Sequence, residues 1–220
     1  MSRQKTRRFE ETFKARNVIE ETKPHYHQMK GNWNRDFFGN DAPITLEIGC
    51  GKGEYSVGLA RINADKNFVG VDIKGDRLWK GSKQAMEEKL NNVGFLRAQV
   101  EHIDGFFEPN EVECIWITFP DPRPRDRDIK RRLTSPRFME HYKNLLKPGG
   151  VVYFKTDSTS LFEYTLEVLA EREDIQDLVY TFNLYESEYM DEHHGIKTKF
   201  EQKFHDLGED IKYLKFRFVQ

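Results

Sequence analysis

The sequence predicts a single α/β domain built on a doubly wound, mostly parallel sheet. Short runs of β-branched and aromatic residues alternate with segments of helical periodicity, which is the pattern of βαβ units. The length of 220 residues suits one core of this kind. Apolar and basic side chains alternate over residues 214–218, and this alternation predicts a half-exposed antiparallel strand at or near a sheet edge.

Five apolar runs mark the other predicted strands, at residues 44–48, 68–73, 93–98, 114–119 and 151–155. Apolar residues recur at helical spacing over 55–62 and 78–90, so each crossover is long enough for a helix. The segment KPGG at 147–150 predicts a turn with Gly149 at positive φ and a new strand from Val151. The segment SLFE at 160–163 matches a capping box, which predicts a helix from Ser160 through Leu169.

The overall charge gives no general affinity for nucleic acid. The formal net charge is -2, with 33% charged and 37% hydrophobic residues, so any RNA binding must come from local basic patches. Two patches are present, at residues 1–16 and 123–132. Charge alone favours a solvated tail for the first patch. We therefore predict a basic, partly disordered N-terminal extension over 1–30 and one domain over 31–220.

The cysteine content and the hydropathy of the sequence limit the class of protein and the compartment to be expected. Two cysteines, Cys50 and Cys114, do not make a disulfide framework. No apolar stretch approaches the roughly 18 residues that a membrane span needs. No spacing around the histidines completes a metal site. These patterns predict a soluble, cytoplasmic protein without a membrane partner and without a metal.

A glycine-rich segment, EIGCGKG at 47–53, follows the first long predicted strand. Its spacing is G-x-G-x-G, and Glu54 stands where a dinucleotide fingerprint has its third glycine. Two carboxylates, Glu47 and Glu54, would repel a pyrophosphate and attract a cationic ligand. S-adenosylmethionine carries both a sulfonium and an ammonium group, so the segment favours this cofactor. The alternative is an ordinary tight turn.

Two further polar residues follow neighbouring predicted strands. Asp72 ends the second long strand, where a carboxylate can accept hydrogen bonds from both ribose hydroxyls. Gln99 follows the third strand, where it can hydrogen-bond adenine. Asp72 as a helix cap and Gln99 as a plain loop residue are the alternatives. The predicted cofactor contacts are Glu47, Gly49, Gly51, Asp72, Gln99 and Asp121.

Asp121 lies between Pro120 and Pro122 at the end of the apolar run 112–119. Proline fixes its own φ and restricts the residue before it, so this carboxylate should be held rigidly. A run of basic side chains follows it: Arg123, Arg125, Arg127, Lys130, Arg131 and Arg132. Charge alone would make the run a solvated face. Because it follows an acid at a strand end, we interpret its later members, from Arg125 onward, as phosphate contacts that set substrate register.

Four segments together resemble those of the bacterial tRNA (guanine-N7)-methyltransferases, a class I S-adenosylmethionine-dependent family with a Rossmann-like domain. They are EIGCGKG at 47–53, DPRP at 121–124 followed by KRRL at 130–133, FKTD at 154–157, and TKFEQKF at 198–204. The second and fourth are the most specific. The family usually has Trp, Lys and His where Arg123, Arg125 and Asp128 stand here.

The resemblance implies methyl transfer to N7 of a guanine in tRNA, in the variable loop at position 46 of tRNA. It implies Asp121 as the catalytic residue and substrate contacts at Arg125, Asp157, Thr198 and Glu201. Asp157 as a helix cap, and Thr198 with Glu201 as a capping box, are structural alternatives. Either Asp121 or Asp157 could recognise the guanine N1–H and N2–H edge.

Two other functions remain open at this point. One is a methyltransferase with a non-tRNA acceptor, and the other is a non-catalytic RNA-binding module. Glu47, Gly49, Gly51 and Asp72 are all present, which argues against a degenerate cofactor site. A monomer and a homodimer both stay possible from the sequence.

Overall fold

The structure is a computed structural model that describes residues 3–219. Its eight strands are β1 Val18–Ile19, β2 Ile44–Ile48, β3 Asn67–Asp72, β4 Val93–Arg97, β5 Val112–Thr118, β6 Leu146–Thr156, β7 Ile175–Thr181 and β8 Lys212–Phe218. Its α-helices are α1 Arg3–Lys14, α2 Glu54–Ile62, α3 Gly75–Glu87, α4 Pro136–Leu145, α5 Thr159–Ala170 and α6 Lys199–Asp206. Short 3-10 and π-type turns connect several of these elements.

All eight strands form one sheet in the order β1-β4-β3-β2-β5-β6-β8-β7. The strands from β1 to β6 pair in parallel, and β8 runs antiparallel to both β6 and β7. This arrangement confirms the predicted α/β class and the antiparallel C-terminal strand next to an edge. The strand order reverses between β2 and β5, and such a reversal opens a crevice beyond the carboxyl ends of the two strands.

Two predicted boundaries were wrong. The sixth strand begins at Leu146 rather than Val151, because Leu146 already pairs with Val112 and a register shift with Gly149 at φ 80° absorbs the extra residues. The fifth helix is capped by Ser158 rather than Ser160. The chain turns immediately after β6, so the Ser158 hydroxyl accepts the Leu161 N–H and Ser160 already lies inside the helix.

The predicted N-terminal extension is largely integrated into the domain. Its first helix, α1, packs against α3, where Trp79 donates to Glu11 and Arg8 lies 5.0 Å from the Trp79 ring. The strand β1 pairs with β4 through Val18 and Phe95. Two residues are too few to show strand periodicity, so β1 could not be predicted from the sequence. Residues 1 and 2 of the predicted extension lie outside the described residues.

Apolar side chains cover both faces of the sheet, as a parallel sheet requires. On one face Trp33 stacks on Phe107 at 5.2 Å and donates its indole N–H to the Phe106 carbonyl. On the other face Trp116 stacks on Tyr153 at 4.3 Å. Within residues 3–219, no helix is long and apolar enough to cross a membrane.

A glycine in α3 allows this helix to approach the glycine-rich segment closely. A Cβ at Gly81 would stand 2.7 Å from both the Lys52 carbonyl oxygen and the Phe95 ring. We expect Gly81→Ala to lower the free energy of unfolding by about 1–3 kcal/mol, because a backbone oxygen and a buried ring cannot move aside cheaply. Urea unfolding measures the change.

The matched control is Gly105→Ala, since a Cβ at Gly105 would meet no atom within 4 Å. An unchanged midpoint for Gly81→Ala would contradict the close packing of α3 on this segment.

Candidate active site

The glycine-rich segment forms a tight turn between β2 and α2. Gly49, Gly51 and Gly53 all have positive φ, at 72°, 55° and 68°, a conformation that glycine adopts without a steric cost. The N–H groups of Gly49 and Cys50 both bond the Val71 carbonyl. No atom lies within 4 Å of a Cβ built on Gly51. The turn is thus fixed to β3 and leaves open space above Gly51.

Asp72 supports this turn from the end of β3. One carboxylate oxygen accepts the Gly51 N–H at 2.9 Å, and the other accepts the Lys74 N–H at 2.8 Å. A carboxylate has about four lone-pair positions, so Asp72 retains acceptor capacity for a ligand. The N-cap of α3 is Lys74, which has no side-chain cap hydrogen bond, so Asp72 orders the turn before the helix rather than capping it.

A cavity of about 540 Å³ opens at the carboxyl ends of β3 and β4. Gln99 lines it together with Ile73 and Ala98, which come from the same strand ends. Tyr26 and His27 also line it, and the Tyr26 ring packs edge-on against Phe106 at 4.8 Å. Sequence analysis missed Tyr26 and His27, because they lie far from any glycine-rich or acidic motif.

Glu47 is buried at the end of β2, with 3% of its surface exposed. One carboxylate oxygen accepts both the backbone N–H and the hydroxyl of Ser56, and the other accepts the Thr118 hydroxyl at 2.6 Å. Burial raises the pKa of Glu47, and the Ser56 and Thr118 hydrogen bonds oppose that rise. Glu47 thereby joins β2, α2 and β5 directly beneath the crevice.

The loop that carries Asp121 has unusual backbone geometry on both sides of it. Phe119 and Arg123 adopt positive φ, at 48° and 43°, although neither is glycine. Such conformations cost about 1–3 kcal/mol each and persist only where the surroundings enforce them. The Phe119 N–H is held by the Lys155 carbonyl, and the Arg123 N–H donates to the Asp121 carboxylate at 3.2 Å. The exposed Asp121 is consequently held at the carboxyl end of β5.

The basic run after Asp121 folds into a closed loop. The Arg132 guanidinium bonds the Arg123 carbonyl and lies 4.4 Å from the Tyr164 ring. Leu133 then returns to the glycine-rich turn, where a Cβ on Gly49 would lie 3.2 Å from its side chain. Arg132 therefore holds the loop together. The side chains that stay exposed are Arg125, Arg127, Lys130 and Arg131.

Two of these exposed cations are partly neutralised within the loop. Arg131 pairs with Asp128 at 3.3 Å, and Arg127 lies 4.0 Å from the same carboxylate. Arg125 instead precedes the 3-10 turn Asp126–Arg131, with its carbonyl accepting the Asp128 N–H.

A buried ion pair joins β6 to α6. Lys155 and Glu201 are both fully buried, and the Lys155 ammonium lies 3.1 Å from each Glu201 oxygen. Tyr185 also donates its hydroxyl to Glu201. Burial lowers the pKa of Lys155, and the adjacent Glu201 carboxylate opposes this effect. The pairing satisfies both charges in a place where either one alone would be costly.

The predicted capping box at the start of α6 is present. The Thr198 hydroxyl accepts the Glu201 N–H at 3.0 Å, and the Glu201 carboxylate accepts the Thr198 N–H. Glu54, at the start of α2, accepts the next orphan N–H, that of Lys199, at 2.9 Å. The segment from Thr198 to Glu201 is therefore fastened to both the glycine-rich turn and β6.

Asp157 follows β6 at the same end of the sheet and is half-buried. Its backbone carbonyl accepts the Lys212 ammonium at 3.0 Å. Burial raises the pKa of the Asp157 carboxyl group, and the Lys212 charge opposes the rise. Ser158 rather than Asp157 caps α5, so Asp157 does not serve as that cap.

Comparison with known proteins decides the family. A family model described as "Putative methyltransferase" matches residues 41–214. A tRNA (guanine-N(7)-)-methyltransferase of Cytophaga hutchinsonii is 46% identical over 220 residues, which cover 100% of this chain and 99% of the relative. The enzyme of the same name from Christiangramia forsetii is 47% identical, with 98% of each chain covered.

The chain belongs to the tRNA (guanine-N(7)-)-methyltransferase family. Solved structures support the fold of this family member. A 16S rRNA methyltransferase matches with a TM-score of 0.62 at 17% identity, covering 93% of this chain and 99% of the other. A 30S ribosomal A1408 methyltransferase from an uncultured bacterium matches with a TM-score of 0.60 at 15% identity, covering 91% and 98%.

In this family member, contacts connect most of the predicted site residues. Hydrogen bonds join Gly51 to Asp72, and Glu47 to Thr118, the last residue of the strand that precedes Asp121. Gln99 stands apart, at the cavity on the β4 side, and Arg125 projects from the outer loop. Throughout the described part of the chain, no group of three or more His, Cys, Asp or Glu could hold a metal.

Sequence analysis missed two residues at the centre of these contacts, Lys155 and Glu54. Lys155 carried a signal, because a lysine inside an apolar strand is rarely buried without a partner. Glu54 was interpreted as a departure from a dinucleotide motif and as a carboxylate that attracts a cationic ligand, not as a contact to α6. Its contact with Lys199 spans 145 positions of sequence, and no local pattern encodes such a contact.

Removal of one member of the buried pair should be strongly destabilising. We expect Lys155→Met to lower the free energy of unfolding by about 3–5 kcal/mol, since Glu201 would remain buried without its cation. The double variant Lys155→Met with Glu201→Gln should recover part of the loss, because no charge is then left unpaired. Urea unfolding of both variants measures the difference.

Glu88→Gln is the matched control, because it breaks an ion pair with Arg61 in which both side chains are partly exposed. Such a pair contributes at most about 1 kcal/mol. If Lys155→Met lowers the free energy of unfolding no more than Glu88→Gln does, the buried pair is not the strong stabilising contact described here.

Proposed function

We propose that this protein transfers the methyl group of S-adenosylmethionine to N7 of a guanine in tRNA, in the variable loop at position 46 of tRNA. Membership of the tRNA (guanine-N(7)-)-methyltransferase family supports the reaction. The observation that carries the site assignment is the position of Asp121, held between two strained residues at the strand-order reversal. A basic loop follows it in sequence and returns to the glycine-rich turn through Leu133.

The residues at the crevice fit S-adenosylmethionine. Gly51 leaves open space where a side chain would obstruct a ligand, and Asp72 has acceptor capacity for ribose hydroxyls. The cavity of about 540 Å³ offers Gln99 to an adenine ring. Glu47 and Asp121 supply negative charge for the ammonium and sulfonium groups, and Gly49 with Gly51 allows close approach. When bound, the cofactor supplies an electrophilic methyl group.

The target atom explains why no strong general base is needed. N7 of guanine has an in-plane lone pair and no proton, so the reaction depends on alignment and electrostatics. The purine gains positive charge as the new bond forms. We assign to the Asp121 carboxylate the stabilisation of that charge, and its restricted backbone limits the reorganisation needed at the moment of transfer.

Recognition of guanine requires acceptors for its N1–H and N2–H groups. Asp157 and Asp121 follow the adjacent strands β6 and β5, so either carboxylate can face the same base. Adenine lacks this donor pair, and a buried acceptor left unpaired would penalise its binding. Arg125 and the segment from Thr198 to Glu201 are the other proposed contacts to the substrate. Because Thr198 and Glu201 bond each other and Glu201 also bonds Lys155, their side-chain role is to hold the segment in position.

The exposed positive charge of the basic loop supports tRNA as the partner. Arg125 and Lys130 are exposed cations in a loop that begins beside Asp121, and cations so placed can fix the register of a phosphate backbone. Cytoplasmic location stays a prediction.

The first test is transfer of labelled methyl to unmodified tRNA, with the product mapped by cleavage at 7-methylguanosine. We expect one labelled guanine in the variable loop. Asp121→Asn should lower the single-turnover rate about a hundredfold or more, because it removes a charge directed at the reacting base. Asn keeps an oxygen that can accept the Arg123 N–H, so the thermal unfolding midpoint should stay unchanged.

Asp126→Asn is the control, since Asp126 is exposed in the same loop. Full turnover by Asp121→Asn would refute the catalytic assignment. Cofactor binding without label in tRNA would direct the search to another acceptor, and absence of cofactor binding would favour a non-catalytic RNA-binding module.

The proposed phosphate contacts predict a specific salt dependence. The affinity for tRNA should fall steeply with salt, and Arg125→Gln and Lys130→Gln should each reduce the slope of log K against log[salt] by about 0.7–0.9. Fluorescence titration of labelled tRNA at several salt concentrations measures the slope. Lys66→Gln, next to the amino end of β3 and so at the opposite end of the sheet, should leave the slope unchanged. A slope unaffected by all three changes would refute a phosphate role for the loop.

A further inference from the structure

The segment at the start of α6 presents different side chains inward and outward. Thr198 and Glu201 bond each other, and Glu201 is fully buried against Lys155. Their polar atoms are therefore engaged within the protein. Phe200, between them in sequence, is 46% exposed. Lys199 and Lys203 are also exposed. The outward surface of α6 thus combines an aromatic ring with two cations.

The ring of Phe200 lies next to the loop that carries Asp121. Its centroid is 5.5 Å from that of Phe119, the strained residue two positions before Asp121. The Phe200 centroid also lies 4.4 Å from that of the Phe204 ring. Phe119 is itself held by the Lys155 carbonyl, the residue whose ammonium pairs with Glu201. One lysine therefore fixes the position of both rings.

This aromatic group is separate from the proposed adenine cavity. The cavity lies at the ends of β3 and β4, whereas Phe119 follows β5. Because β2 stands between β3 and β5 in the sheet, the two sites lie on opposite sides of the strand-order reversal. The exposed ring is thus on the side of Asp121 and Asp157, where we place the acceptor base.

An exposed aromatic ring flanked by cations suits a base of single-stranded RNA. Unstacked RNA bases bind by stacking on aromatic side chains, while nearby lysines attract the phosphates. Methyl transfer to an in-plane lone pair also requires the base plane to be fixed. An apolar side chain without a face for stacking would supply contact but would not orient that plane.

We infer that Phe200, supported by Phe119, is the stacking surface for the acceptor guanine or its immediate neighbour in the RNA, with Lys199 and Lys203 contacting the adjoining phosphates. The inference rests on the proposed function and deepens it. Within this segment, we assign the direct RNA contacts to the outward-facing Lys199, Phe200 and Lys203. Thr198 and Glu201 then make none. Phe200 is then a positioning residue of the substrate site.

The test compares Phe200→Ala, Phe200→Leu, Phe200→Tyr and Phe200→Trp in the methyl transfer assay with tRNA. We expect the Ala variant to lose about tenfold to a hundredfold in kcat/KM for tRNA, the range that removal of one base-stacking ring produces. Tyr and Trp should retain most of the activity, and Leu should not. The Kd for S-adenosylmethionine and the thermal unfolding midpoint should stay unchanged in all four.

Leu207→Ala is the matched control, since Leu207 is 67% exposed and caps the other end of the same helix. Its kcat/KM should equal that of the unaltered chain. Full activity of the Ala variant, or full rescue by Leu, would overturn the inference while the unaltered chain still labels tRNA. Failure of the unaltered chain to label tRNA would overturn the proposed function itself, and the inference with it.

Discussion

The buried pair of Lys155 and Glu201 is the interaction on which the arrangement of the active site depends. The lysine side chain holds α6 through Glu201, and the lysine carbonyl holds the strained Phe119. One residue of β6 thereby sets the proposed substrate segment and the loop of Asp121 relative to each other. Two fully buried charges are costly to desolvate, so their value lies more in fixing a single geometry than in net stability.

A second set of polar contacts orders the cofactor side. Glu47 joins β2, α2 and β5, while Asp72 fastens the glycine-rich turn to β3. Glu54 then links the end of this turn to Lys199 at the start of α6. The proposed cofactor side and the proposed substrate side are consequently parts of one hydrogen-bonded framework. Such preorganisation suits a reaction whose rate depends on alignment.

Strain and exposure coincide at the proposed catalytic residue, Asp121. The positive φ values of Phe119 and Arg123 bracket an exposed carboxylate, whereas most of the sheet beneath is buried and apolar. The rigid sheet compensates for this local cost, as is common where a site must present a group in one orientation. The exposed Phe200 ring is held in a similar way, because its neighbours Thr198 and Glu201 bond each other and Glu201 also bonds Lys155.

The sequence by itself determined the α/β class, five long strands, the antiparallel C-terminal strand and the position of the glycine-rich turn, because hydrophobic periodicity and glycine spacing are local properties. It also placed Asp121 at a strand end, since prolines restrict their neighbours locally. Only the tertiary structure decided that Thr198 and Glu201 face inward, that β1 joins the sheet, and that Glu54 meets Lys199. These outcomes depend on contacts between residues far apart in sequence, where the burial of one charge is decided by the position of its partner.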